Sequence, residues 1–142
     1  MRHVLKPFDA DTYANNDDAK HAVIDLFRWW GCTIGVNADD YGIDLVGREK
    51  DGTVFGVEVE VKHNWTGPEF PFTTIHYSAR KTKLLDVMEE VWFATVNHDR
   101  THVALICPST LDNIKLVRKQ TSVTSTEWFM EFPIHLATIV PL

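Results

Sequence analysis

Apolar side chains recur at Ala19, Ala22, Val23, Leu26, Phe27 and Trp30, a spacing that puts them on one face of a helix. Asn15-Asn16-Asp17-Asp18 ahead of them supplies cap and first-turn residues, and Gly31 supplies a stop. The pattern predicts a helix over 17–30, with 1–14 as a lead-in without periodicity. Strand-like runs follow at 32–36, 41–48 and 53–63. Asp51-Gly52 between the last two is a hairpin signal, so these strands are expected to pair antiparallel. Gly67-Pro68 and Pro71 break the chain, making 65–77 an aromatic-rich loop. Ser78 can cap a second helix over 78–90. Strands are predicted at 91–96 and 102–107, joined by a turn at 97–100. A short helix or turn opens at Pro108 and runs to about 116. Short strands at 127–132 and 135–140 complete the reading.

The order is helix, three-stranded meander, helix, two strands. This gives an α/β class, with α+β as the alternative, built on a central mixed β-sheet flanked by helices. The chain has 142 residues, 44% hydrophobic and 24% charged, which suits one domain over 1–142. The net charge of −6 excludes a protein that coats nucleic acid nonspecifically, so any nucleic-acid contact must use a local basic patch. Two distant cysteines, Cys32 and Cys107, form neither a disulfide framework nor a zinc-ligand spacing and are expected to pack as small apolar residues. MRHVLKPFDADTY carries no signal-peptide core, and the apolar runs are too short to span a bilayer. A cytoplasmic protein without a membrane partner is expected.

The segment that carries chemistry is Gly56-Val57-Glu58-Val59-Glu60-Val61-Lys62-His63. On a strand, Val57, Val59 and Val61 share one face, and Glu58, Glu60 and Lys62 share the other. A half-exposed strand whose polar face meets water gives the same alternation. Asp44 adds a second element. It is flanked by apolar residues, and pairing across Asp51-Gly52 sets it opposite residues near 58–60, so its carboxylate can lie beside that of Glu60. Two carboxylates brought together repel unless a cation separates them, and hard oxygen ligands suit Mg²⁺, with Mn²⁺ as a substitute. Lys62, one step along the same face, can orient or activate a water. A Lewis acid, a water and charge stabilisation together suit phosphodiester hydrolysis.

Asp44, fifteen intervening residues, then Glu60-Val61-Lys62 resembles the motif of the PD-(D/E)XK nuclease superfamily. That superfamily includes type II restriction enzymes and archaeal Holliday-junction resolvases. The resemblance covers roughly 15–108 and includes the element order. It implies a restriction-endonuclease-like αβββαβ core and a Mg²⁺-dependent DNA endonuclease, working as a homodimer so that two sites cut two strands. Asp44 and Glu60 would hold the metal, helped by the Val61 carbonyl, and Lys62 would be the catalytic lysine. The proline that names the motif is replaced by Ile43. Many members add an acid from the first helix; the corresponding position here falls near Lys20. Asp17 or Asp18 could substitute, or both could simply complement the helix dipole. Glu58 is an additional acid on the active face, either an outer ligand or a solvated strand residue.

The surroundings offer nucleic-acid contacts at His63, Asn64, Arg80, Lys81 and Lys83. Cations at a helix start oppose its dipole, so Arg80, Lys81 and Lys83 are better explained by a neighbouring phosphate backbone than by helix stability. Lys115, Arg118 and Lys119 read as a solvated face with DNA contact as the alternative. Trp65, Phe70 and Phe72 either stack on bases or close a small core under the loop. Two other functions stay open: a non-catalytic nucleic-acid-binding or protein-interaction module on the same fold, and a nuclease acting on RNA.

Overall fold

The computed structural model describes residues 10–38, 42–120 and 126–142. One helix, α1 (Ala10–Trp29), precedes nine strands: β1 (Thr33–Val36), β2 (Leu45–Arg48), β3 (Val54–Lys62), β4 (Thr74–Ser78), β5 (Glu90–Asn97), β6 (His102–Ile106), β7 (Lys115–Lys119), β8 (Glu127–Pro133) and β9 (Thr138–Pro141). Short 3₁₀ segments lie at Ala79–Asp86, Pro108–Thr110 and Ile134–Leu136. A six-stranded sheet runs in the order β1-β2-β3-β5-β6-β9, and a three-stranded sheet in the order β4-β8-β7. The larger sheet is mixed: β3 and β5 are parallel and its other pairs antiparallel.

The hairpin at Asp51-Gly52 forms as expected, with Leu45 opposite Val57 and Arg48 opposite Val54. Gly52 takes φ 94°, a conformation glycine adopts at little cost. The Asp51 carboxylate accepts the Thr53 N–H at 2.9 Å, which fixes the turn.

The sheet has two buried faces. On one, Phe55, Val57 and Val59 join Leu45, Ala94, Val96, Val103 and Leu105 under Ala19, Val23, Ile24 and Phe27 of α1. Phe27 stacks on Phe55 at 5.3 Å between ring centroids. On the other, Val91, Phe93, Ala104 and Ile106 pack against Ile75, Tyr77, Met130 and Phe132 of the smaller sheet, with Leu84 and Trp65 closing the cluster. The polar face of β3 lies on this second side: Glu58, Glu60 and Lys62 stand beside Phe93, Thr95 and Asn97 of β5.

Several sequence expectations are corrected. The helix begins at Ala10, not 17, so Asp17 and Asp18 lie within it rather than in its first turn. Asn and Asp cost only tenths of a kcal/mol each in a helix interior, too little to start or stop one alone. The loop expected over 65–77 contains β4, and the helix expected over 78–90 is a 3₁₀ segment at Ala79–Asp86 followed by irregular chain. Ser78 does cap it, accepting the Arg80 N–H at 3.3 Å. The helix expected from Pro108 stops at Thr110, and Lys115–Lys119 is a strand. The second meander strand starts at Leu45 rather than 41; residue 41 lies outside the described residues. The expectations of a sheet with mixed pairing and of packed cysteines agree with the structure: Cys107 is buried and Cys32 packs at the edge of the α1 core. Among the described residues no helix is long and apolar enough to cross a membrane.

Candidate active site

Asp44 sits at a bend just before β2, and its position is fixed from both ends. Its carboxylate Oδ2 accepts the Val59 N–H at 2.8 Å, and its own N–H donates to Glu58 Oε1 at 3.2 Å. These contacts extend the β2–β3 pairing by one residue and lock the aspartate against the middle of β3. The carboxylate that meets Asp44 is therefore that of Glu58, the register neighbour, rather than that of Glu60.

Glu60 is tied to Glu58 through a lysine. The Lys81 ammonium, carried in by the 3₁₀ segment Ala79–Asp86, lies 2.5 Å from Glu60 Oε1 and 3.2 Å from Glu58 Oε2. A second lysine reaches Asp44 from the helix: Lys20 Nζ is 3.2 Å from Asp44 Oδ1. The position where an acid was sought on α1 thus holds a cation. Asp17 and Asp18 are exposed, and Asp17 pairs with His21 at 3.5 Å one turn along the helix.

Burial governs the electrostatics. The Glu58 side chain is 13% exposed, and its pKa is pushed up to about 7 by desolvation, with the Asp44 charge adding and Lys81 opposing. Burial works against the charge on Lys81 too, but Glu60 and Glu58 outweigh it and hold its pKa above the usual lysine range.

Lys62 lies apart from that group. Its ammonium stands 5.0 Å from the centroid of the Phe72 ring, a cation–π distance. Burial and the neighbouring charge of Lys119 lower its pKa, while Glu60 partly restores it. Beneath Glu60, Tyr77 and Thr95 share a buried hydrogen bond of 2.5 Å, and burial drives the Tyr77 pKa far up, so its hydroxyl stays protonated.

His63 and Asn64 form the exposed turn after β3, where the ring nitrogens His63 Nδ1 and His98 Nδ1 approach to 3.3 Å. Arg80 and Lys83 face solvent, Arg80 bridging Ser78 and Glu127. Lys81, between them in sequence, turns inward. Trp65 is fully buried and packs edge-on to Phe70, so these two close a core under the loop; Phe72 is exposed.

Sequence reasoning names Lys20 only as the place of a missing acid, and misses its pairing with Asp44 and the inward turn of Lys81. Lys20 sits next to buried Ala19 on a helix whose inner face was legible, which was a usable signal. Lys81 gave none, because its segment was taken for an α-helix.

The donor set fits a hard divalent cation in kind: Asp44, Glu58 and Glu60 offer oxygen, and two of them already converge on one positive charge. The arrangement is not a finished metal cage: among the described residues no three His, Cys, Asp or Glu side chains gather as a metal-holding group.

No family model and no curated protein matches this sequence. Its structure is similar to that of Hjc, a Holliday junction resolvase from the archaeal hyperthermophile Archaeoglobus fulgidus. The TM-score is 0.56 at 13% sequence identity, over 87% of this chain and 89% of that one. The mixed sheet and its few helices thus form a resolvase-like, restriction-endonuclease-like fold.

Proposed function

We propose that this chain is a metal-dependent phosphodiester hydrolase, cutting DNA as an endonuclease. The observation that carries the reading is the convergence of Glu58 and Glu60 on a single cation, with Asp44 bound against the same strand, on a fold shared with a junction resolvase. A bound Mg²⁺, or Mn²⁺ in its place, would supply Lewis acidity and lower the pKa of a coordinated water. Asp44 and Glu60 would hold it, with the Val61 carbonyl and Glu58 as further oxygen donors. Glu60 is well placed for this, since β3 is fixed on both sides by β2 and β5. Lys62, one step further along the face, orients the attacking water or the phosphate. His63, Asn64, Arg80 and Lys83 line the exposed side and meet the backbone phosphates of the substrate. Cutting both strands at once requires two such sites, which a dimer of this chain would supply.

The test is cleavage of plasmid, single-stranded and branched DNA, and of RNA, with Mg²⁺ or Mn²⁺. Cutting that disappears in Asp44→Ala, Glu60→Ala and Lys62→Ala supports the assignment. A fully active Lys62→Ala protein removes that residue from the mechanism.

A second reading has its own observation. Lys20 and Lys81 already neutralise the carboxylates, as in a structural charge cluster of a non-catalytic binding module. Thermal unfolding with Mn²⁺ separates the two: the hydrolase is stabilised by the ion, the module is not.

A further inference from the structure

We propose that Lys81 is the resident cation of this carboxylate site: its ammonium holds the place of the divalent ion between Glu58 and Glu60, and the ion binds by displacing it. The inference rests on the hydrolase reading above and adds to it a competitor that belongs to the chain itself.

The geometry sets Lys81 apart from its neighbours. Arg80 is 57% exposed at its side chain and Lys83 faces solvent, whereas the Lys81 side chain is 21% exposed and touches two carboxylates at 2.5 and 3.2 Å. An exposed lysine is held loosely by such pairs, but here the groups are half-buried and the attraction is less screened. The carboxylates it touches come from one face of one strand, two residues apart. Brought together without a cation, they would repel; Lys81 keeps them aimed at a common point in the absence of metal.

A divalent ion held by the same oxygens would stand within a few ångströms of that ammonium. Like charges at this separation in a half-buried site repel one another. Lysine is suited to the exchange, because its charge sits at the end of a flexible stem that can swing out without moving the backbone. The segment that carries it is a 3₁₀ turn rather than a strand of either sheet, so the six-stranded sheet need not move.

Two measurements test this. In the first, Mn²⁺ affinity is measured by titration calorimetry for the wild type, Lys81→Met and Lys81→Arg. Lys81→Met is expected to bind Mn²⁺ at least about tenfold more tightly, the factor that roughly 1.4 kcal/mol of removed competition produces, and Lys81→Arg to stay near the wild type. Equal or weaker binding by Lys81→Met overturns the displacement while leaving the hydrolase reading intact, provided the wild type binds. Absence of binding in all three proteins overturns both.

The second measurement needs no variant, and so stands even if Lys81→Met fails to fold. The wild-type protein is labelled with an amine-reactive reagent with and without Mn²⁺, and Lys81 modification is read by mass spectrometry against exposed Lys83. Lys81 is expected to be protected alone and to gain severalfold in reactivity with Mn²⁺. Reactivity that does not change at saturating Mn²⁺ overturns the proposal.

Discussion

Along β3, Val57 and Val59 face α1, while Glu58 and Glu60 face the 3₁₀ segment Ala79–Asp86 and the smaller sheet. Both sides are covered, but by different physics. The α1 side closes chiefly through apolar burial, with Val23, Phe27, Phe55 and Val57 all nearly inaccessible to water, and Lys20 at its margin pairs with Asp44. The other side combines an apolar cluster around Phe93 and Tyr77 with Glu58 and Glu60, which share the Lys81 ammonium, and burial there raises the Glu58 pKa. A buried ion pair of this kind is often no more stabilising than apolar residues of the same volume.

The largest effect should come from the charged side. Glu60→Ala or Asp44→Ala is expected to lower DNA cleavage by about a thousandfold or more, since the loss of a metal-holding carboxylate removes several kcal/mol of transition-state stabilisation. Gel assays of plasmid cutting check this, and circular dichroism checks that the variants remain folded. Cleavage at wild-type rates in Glu60→Ala would remove the functional meaning of the contrast between the two faces.

On the apolar side, Phe55→Ala is expected to destabilise the fold by about 3–5 kcal/mol, the usual result of emptying a buried aromatic site. Phe55 is 1% exposed and stacks on Phe27, so urea unfolding should register the full loss. Cleavage per folded molecule should stay close to the wild type.

The pH response sharpens the comparison. The folded Glu58 pKa, about 7, lies above the ordinary 4.5. The folded state therefore holds this proton more tightly than the unfolded chain. Its contribution to stability is complete below about pH 4.5 and is lost as pH rises towards 7. Glu58→Gln, which cannot lose a proton, should gain stability relative to the wild type over that window, by up to about 3 kcal/mol. Denaturation curves at pH 4.5, 6 and 8 measure it. A difference independent of pH would show that Glu58 ionises normally in the fold.

The smallest effect is expected at the exposed rim. Arg80→Ala should change stability by less than about 1 kcal/mol, as exposed ion pairs do, while reducing the salt dependence of DNA binding by roughly one phosphate contact. Fluorescence anisotropy across a salt series reads this directly.

The meander, its hairpin and the segregation of Val57 and Val59 from Glu58 and Glu60 were legible because strand alternation and the Asp51-Gly52 turn are local signals. What was not legible is non-local. Nothing near residue 81 indicates that its ammonium will meet strand β3, and Ser78–Glu90 looks helical because Ser78 offers a cap and Arg80 and Lys83 stand at helical spacing, signals too local to decide it. The alternation also hid the fate of the polar side. A strand that faces water and one that faces a charged interior have the same sequence pattern, and tertiary packing decides between them. Asp44 was read correctly as a neighbour of β3, but the register that pairs it with Glu58 depends on a single residue's offset.

The parallel pairing of β3 with β5 has one last consequence. Two adjacent strands pointing the same way cannot be joined by a tight turn; the chain must travel back across the sheet between them. Here residues 63–89 make that journey, and β4 and the segment bearing Lys81 belong to it. The roof over the carboxylates is thus a return path that the topology demands in any case. Trp65, Ile75, Tyr77 and Leu84 anchor that path in the core, so outward positions such as Thr82 and Lys83 are where its surface can change while the strands below keep their partners.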